Sequence, residues 1–105
     1  MSQFHALKNL ENDTQRSIPY LMNVQSDLLK HFGTRITIPM RLKQGAALTP
    51  SKYLNPEFKI AGELYILVTQ MMVATPLEYL GGSVADFRDQ SHTITNAIDA
   101  VLSGI

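Results

Sequence analysis

Arg35-Ile-Thr-Ile-Pro-Met40 alternates apolar and polar residues, with Ile36, Ile38 and Met40 on one side and Arg35 and Thr37 on the other. That two-residue period predicts a β-strand with one face in a core. Pro39 has no N–H to give a ladder, so this end of the strand is expected at a sheet edge or a bend.

Outward from that strand the chain keeps reading as β. Residues 41–56 hold Gly45, Pro50 and Pro56 among Lys43, Lys52 and small polar residues, which predicts a long surface connection. Phe58-Lys-Ile60 and Leu64–Val68 flank Ala61-Gly62, where glycine supplies the positive φ of a tight hairpin. Leu64 to Met72 is apolar on both faces, as in a central strand covered on each side. Met71–Thr75 is expected to continue it as far as Pro76, and Leu77–Leu80 leads to a breaker at Gly81-Gly82. Towards the N-terminus, Gln3–Leu7 reads as a strand and Asn9–Ser17 as a loop. Pro19–Val24 reads as a second strand whose proline sits first, where the missing N–H does least harm.

The period changes near the C-terminus. Ile94, Ala97, Ile98, Val101, Leu102 and Ile105 recur at the spacing of one helical stripe. Asp89 or Ser91 is the expected N-cap, and Gly104 the left-handed residue just past the end. The fold class is therefore mainly β: a run of short antiparallel strands closed by one C-terminal helix.

The 105 residues are enough for one domain with a single core. Nine basic residues balance nine acidic ones, so the chain lacks the general positive field of a nucleic-acid binder, and any DNA contact would be local or shared with a partner. The absence of cysteine excludes a disulfide framework and thiolate metal sites. Neither a leader pattern nor an apolar run long enough to span a bilayer is present, and the expected location is the cytosol.

A search for chemistry finds no constellation. His5, His31 and His92 lack the spacing of a helical zinc pair, and no metal or cofactor is expected. Gly81-Gly82-Ser83 fits neither a Walker loop nor a nucleophile elbow and reads as a turn approaching the helix. Asp86 and Asp89 suit a helix N-terminus, where the dipole favours acids. Arg35 and Thr37 share a side, as a phosphate-stabilising pair would, but solvated residues on a strand look the same. Met71-Met72 reads as core filler. The terminal Ile105 either packs on the sheet or is offered to a partner, for which burial contributes about 1.5 to 3 kcal/mol.

Five strings in register carry a resemblance: Val24-Gln-Ser-Asp-Leu-Leu29, Arg35-Ile-Thr-Ile-Pro39, Val84-Ala-Asp86, Asn96-Ala-Ile98 and the terminal Gly104-Ile105. In that order they resemble the CcdB family of bacterial toxins across nearly the whole chain. The resemblance implies an SH3-like barrel of antiparallel strands with a small accessory sheet and a C-terminal helix, assembled as a symmetric homodimer. It also implies a non-enzymatic poison that binds the DNA gyrase A subunit and traps the gyrase–DNA cleavage complex. A CcdA-type antitoxin would neutralise it, with DNA touched only through the antitoxin complex. Carried over by position, the gyrase-binding group falls on Leu28, Leu29, Asp99, Leu102, Ser103, Gly104 and Ile105. Two of these depart from a well-known plasmid-borne member, which has tryptophan where Ser103 stands and asparagine where Asp99 stands. Those departures leave room for a non-toxic homologue that acts only in antitoxin binding and operon repression. A ribonuclease toxin of MazF-like fold, with Arg35 and Thr37 as its pair, is the enzymatic alternative.

Overall fold

The computed structural model describes residues 1–45, 51 and 53–104. Among the described residues seven strands, β1 (His5–Asn9), β2 (Tyr20–Asn23), β3 (Thr34–Leu42), β4 (Glu57–Ile60), β5 (Glu63–Leu67), β6 (Val73–Pro76) and β7 (Leu80–Asp86), precede one α-helix, α1 (Ser91–Ser103). Every pairing is antiparallel, in the order β4-β5-β3-β2-β1-β7, with β6 branching from β3. The sheet curls into a half-barrel consistent with an SH3-like barrel plus a helix.

The strand around Pro39 lies at the centre of the sheet, not at an edge. β2 runs along one side of β3, while β6 pairs Thr34–Thr37 and β5 pairs Met40–Leu42 along the other. The Pro39 carbonyl accepts from the Val68 N–H at 2.8 Å, so the position of its missing N–H faces the same side, where β6 hands over to β5. A proline needs one missing partner at one rung, and this junction provides it.

Ala61 (φ 51°) and Gly62 (φ 84°) are both left-handed and join Ile60 to Glu63, a type I′ hairpin as expected from the sequence. The long apolar strand expected from Leu64 onwards is instead two strands. β5 stops at Leu67 because the Val68 carbonyl turns to accept from Met71 N, closing a 3-10 turn over Thr69–Met71. β6 then returns along β3. The Gly81-Gly82 pair is no breaker either, since it lies within β7. A Cβ on Gly81 would sit 2.8 Å from the Lys8 Cβ, where β1 and β7 approach across register shifts on either side of Leu7.

Ala6, Met22, Ile38, Met40, Phe58, Leu67, Phe87 and Ile94 make one core, in which the Phe58 and Phe87 rings lie 4.8 Å apart. Met72 packs against it, but Met71 is half exposed, contrary to its reading as filler. The helix begins after a 3-10 turn over Arg88–Gln90, with Gln90 at the N-cap and no side-chain cap. Neither Asp89 nor Ser91 caps it, because the 3-10 turn already takes up the incoming backbone, Gln90 N–H bonding Phe87 O at 2.9 Å. At the other end Gly104 is left-handed (φ 73°) and its N–H bonds Ala100 O, as expected.

Candidate functional site

Leu28 and Leu29 sit on the 3-10 turn Asp27–Leu29, where Ser26 Oγ accepts from Leu28 N at 3.2 Å. Leu28 is 87% exposed and Leu29 45%. The buried Gln25 holds the turn in place: its Nε2 donates to Leu29 O at 2.9 Å while its Oε1 accepts from Ile36 N at 3.1 Å. Gln3 N donates to Asp27 Oδ1 at 3.0 Å. A turn bearing two leucines, one almost wholly exposed and the other half exposed, is thus fixed to the sheet by polar bonds.

Arg35 fixes the segment that follows. Its Nη1 donates to Phe32 O and Thr34 O at 2.8 and 2.9 Å, and its Nη2 to Lys30 O at 2.7 Å. Both it and Thr37 are buried, so the face expected to meet solvent does not. Thr37 Oγ1 shares a 2.9 Å hydrogen bond with Thr75 Oγ1. The guanidinium is a brace for the 30–34 loop, and its bonded donors are aimed at backbone carbonyls instead of a phosphate.

At the helix end Leu102 is 72% exposed, and Asp99, Ser103 and Gly104 are exposed too. The Ser103 hydroxyl donates back to Asp99 O at 2.6 Å, so it adds no outward bulk. Ile105 lies outside the described residues, as do Pro50 and Lys52 of the expected surface connection. The end of the helix borders an open cleft of about 430 Å³ lined by Tyr53, Asn96, Asp99 and Ser103. Tyr53, 75% exposed, was not singled out from the sequence; a lone aromatic between Pro50 and Pro56 is its only signal there.

The two aliphatic outcrops are not brought together within one chain. Gln3 N donates to Asp27 Oδ1 and the neighbouring Phe4 O accepts from Phe87 N at 2.9 Å, which ties the Leu28 turn to the residues just before α1. Leu102 is near the helix's other end, eleven residues on from Ser91, or roughly 16 Å along the axis at about 1.5 Å per residue.

At the root of α1, Asp86 is gripped by Arg88, whose Nε and Nη2 donate to its oxygens at 2.7 to 3.0 Å. Those bonds, with a backbone bond from Arg88 N, hold the Asp86 carboxyl at about 2. His5 Nδ1 shares a 2.8 Å bond with Ser83 Oγ, and its Nε2 lies 3.5 Å from Asp86 Oδ1, tying β1 to β7. Asp86 ends β7 and Asp89 lies in the 3-10 turn before α1, so the two do not share a helix face. Among the described residues no set of three His, Cys, Asp or Glu side chains is placed to hold a metal.

A half-barrel sheet, one C-terminal helix and two rigid aliphatic outcrops define a small SH3-like β protein. The family model described as CcdB protein matches residues 3–104, and the chain belongs to the CcdB family, the gyrase-poisoning toxins of the ccd toxin–antitoxin system. Among the described residues no helix is long and apolar enough to cross a membrane.

Proposed function

We propose that this chain binds the DNA gyrase A subunit through Leu28, Leu29, Asp99, Leu102, Ser103, Gly104 and Ile105, trapping gyrase on cleaved DNA until a CcdA-type antitoxin removes it. Family membership supports the class, and the observation that carries the site is Leu102, a large aliphatic side chain left 72% exposed at the end of a rigid helix. The distance between the Leu28 turn and the helix end within one chain favours a working surface shared by the two copies of a symmetric dimer. Burying one such leucine against a partner contributes about 1.5 to 3 kcal/mol, so a handful of them gives tight binding without chemistry. Ser103 supplies less contact than an aromatic ring would, which predicts a weaker grip than a tryptophan-bearing relative has.

The test is expression in bacteria without antitoxin. Growth arrest with covalent gyrase–DNA adducts is expected, and both should vanish in Leu102→Asp and on deletion of Gly104-Ile105 while the purified variants keep their melting temperature. Strong expression without adducts would overturn the reading and favour a homologue confined to antitoxin binding. RNA cleavage by the purified protein would revive the nuclease, although the arginine it would need is committed to three carbonyls.

A further inference from the structure

We propose that Ser83, with His5 as its general base and Asp86 behind the imidazole, is a nucleophile that takes an acyl group from esters or thioesters with a good leaving group. The site is built by a break in the β1–β7 ladder. His5 pairs with Asp86 and Ala6 with Ala85, but Leu7 pairs with Ser83, so β7 carries one extra residue, Val84, between the Ala6 and Leu7 rungs. Opposite residues of an antiparallel pair share a face, as do His5 and Leu7 two apart on β1. The bulge therefore turns Ser83 onto the face of His5 and Asp86, where an unbroken ladder would have turned Val84. Ser83 is exposed, and open space lies where a Cβ would stand on the adjacent Gly82, so a carbonyl carbon can reach the hydroxyl.

The local hydrogen bonds point the serine's proton at the imidazole. His5 Nδ1 and Ser83 Oγ lie 2.8 Å apart, whereas the other acceptor within reach of that hydroxyl, Ala85 O, is at 3.5 Å. His5 Nε2 is buried without a hydrogen-bond partner among the described residues, and Asp86 Oδ1 lies 3.5 Å from it. A lone pair on Nε2 would face a carboxylate that Arg88 keeps ionised, whereas a proton there is attracted to it. Nε2 thus carries the proton, Nδ1 keeps the lone pair, and Ser83 donates to Nδ1. In the reaction Ser83 Oγ bonds to the acyl carbon as its proton passes to Nδ1. The bond from that carbon to the leaving oxygen or sulfur breaks, and the leaving group departs as an aryloxide or thiolate with the bonding pair. His5 then gives its proton to solvent, and Asp86 stabilises the imidazolium formed in between. A leaving group of this kind departs without protonation, so His5 has only one proton to handle.

The site uses none of the residues assigned to gyrase, so it stands or falls separately. The full chain is treated with p-nitrophenyl acetate, and the acetyl groups are located and timed by peptide mass spectrometry. Ser17 and Ser103 are internal controls, exposed hydroxyls that donate to backbone carbonyls instead of a base. General-base help is worth roughly 10²- to 10⁴-fold in a complete active site, and with a His5–Asp86 contact of 3.5 Å Ser83 is expected to acetylate about tenfold faster than either control. His5→Gln, which keeps a hydrogen-bonding side chain but cannot take up the proton, should bring Ser83 down to the control rate. Asp86→Asn should slow it and Asp86→Glu restore it, in protein shown by circular dichroism to be folded. Labelling of Ser83 no faster than that of Ser17 and Ser103 in the parent chain, a comparison that needs no variant, would overturn the proposal, as would an unchanged rate in His5→Gln. An unchanged rate in Asp86→Asn would overturn the part given to the carboxylate. Trapped gyrase adducts are expected to persist in Ser83→Ala, which separates failure here from failure of the gyrase reading.

Discussion

The two halves of α1 come from one apolar stripe and have opposite fates. Ile94 and Ala97 are fully buried under the core, whereas Leu102, two turns on from Ile94 and at the same period, is 72% exposed. The difference lies beneath the helix, not in it. Ile94 of the N-terminal half packs into the core with strand residues such as Ala6, Met22 and Ile38, and the helix leans on the Thr69–Met71 turn, whereas its C-terminal end borders the loop bearing Tyr53. Hydrophobic period reports which residues share a face; it does not report where the supporting surface ends. A stripe that outruns its support leaves aliphatic groups for something else to cover.

Ile94→Ala is the largest expected effect. Removing that buried side chain should cost about 2 to 5 kcal/mol, read as a lower denaturation midpoint with an unchanged slope, because a close-packed core refills only part of the cavity. A loss under 1 kcal/mol would mean that the two halves of the helix differ less than their burial indicates. Next comes Gly104→Ala. With φ at 73°, an added Cβ strains the helix end by about 1 kcal/mol, and faster amide exchange confined to the last turn would show it.

The root of the buried half gives a smaller, pH-confined test. Arg88 depresses the Asp86 carboxyl from 3.8 to about 2, so the pair's contribution is complete above about pH 4 and is lost as the pH falls through 2. The stability gap between the parent chain and Asp86→Asn should therefore be widest above pH 4 and close by pH 2. Because both groups are exposed, added salt should narrow it. A gap that stays constant down to pH 2 would show that Arg88 does not hold the carboxylate.

Much of this architecture was legible because local rules and tertiary context agree. The Ala61-Gly62 turn and the Gly104 stop each state a backbone requirement that few residues meet, whereas the alternation from Arg35 to Met40 marked a strand but not its buried face, since Ile36 is 40% exposed while Arg35 and Thr37 are buried. Legibility failed where context decides. Pro39 reads as an edge residue until two partner strands are seen to change over opposite it. Gly81-Gly82 reads as a breaker until β1 is seen pressed against it. Thr69 lies within an apolar run, and nothing local announces the turn that splits the run into β5 and β6. The candidate site was legible only as a set of positions carried by the resemblance. That Gln25 and Arg35 brace the Leu28 turn through backbone carbonyls and an amide depends on distances that no one-dimensional pattern contains.

The smallest expected change in stability is the one that bears most on function. Leu102→Ala removes a side chain that is already mostly in water, so its unfolding free energy should stay within about 0.5 kcal/mol of the parent's. If Leu102 grips gyrase, the same substitution should weaken adduct trapping by about tenfold or more, since the burial it forfeits occurs only in the complex. A loss of stability like that of Ile94→Ala would place Leu102 against an apolar surface in the free protein, the partner copy included, and would remove the exposed anchor on which the gyrase reading rests. Unchanged stability with unchanged trapping would leave the exposed half of the stripe without the role given to it. Only a stable variant that fails to trap gyrase keeps the two halves of α1 as different in function as they are in burial.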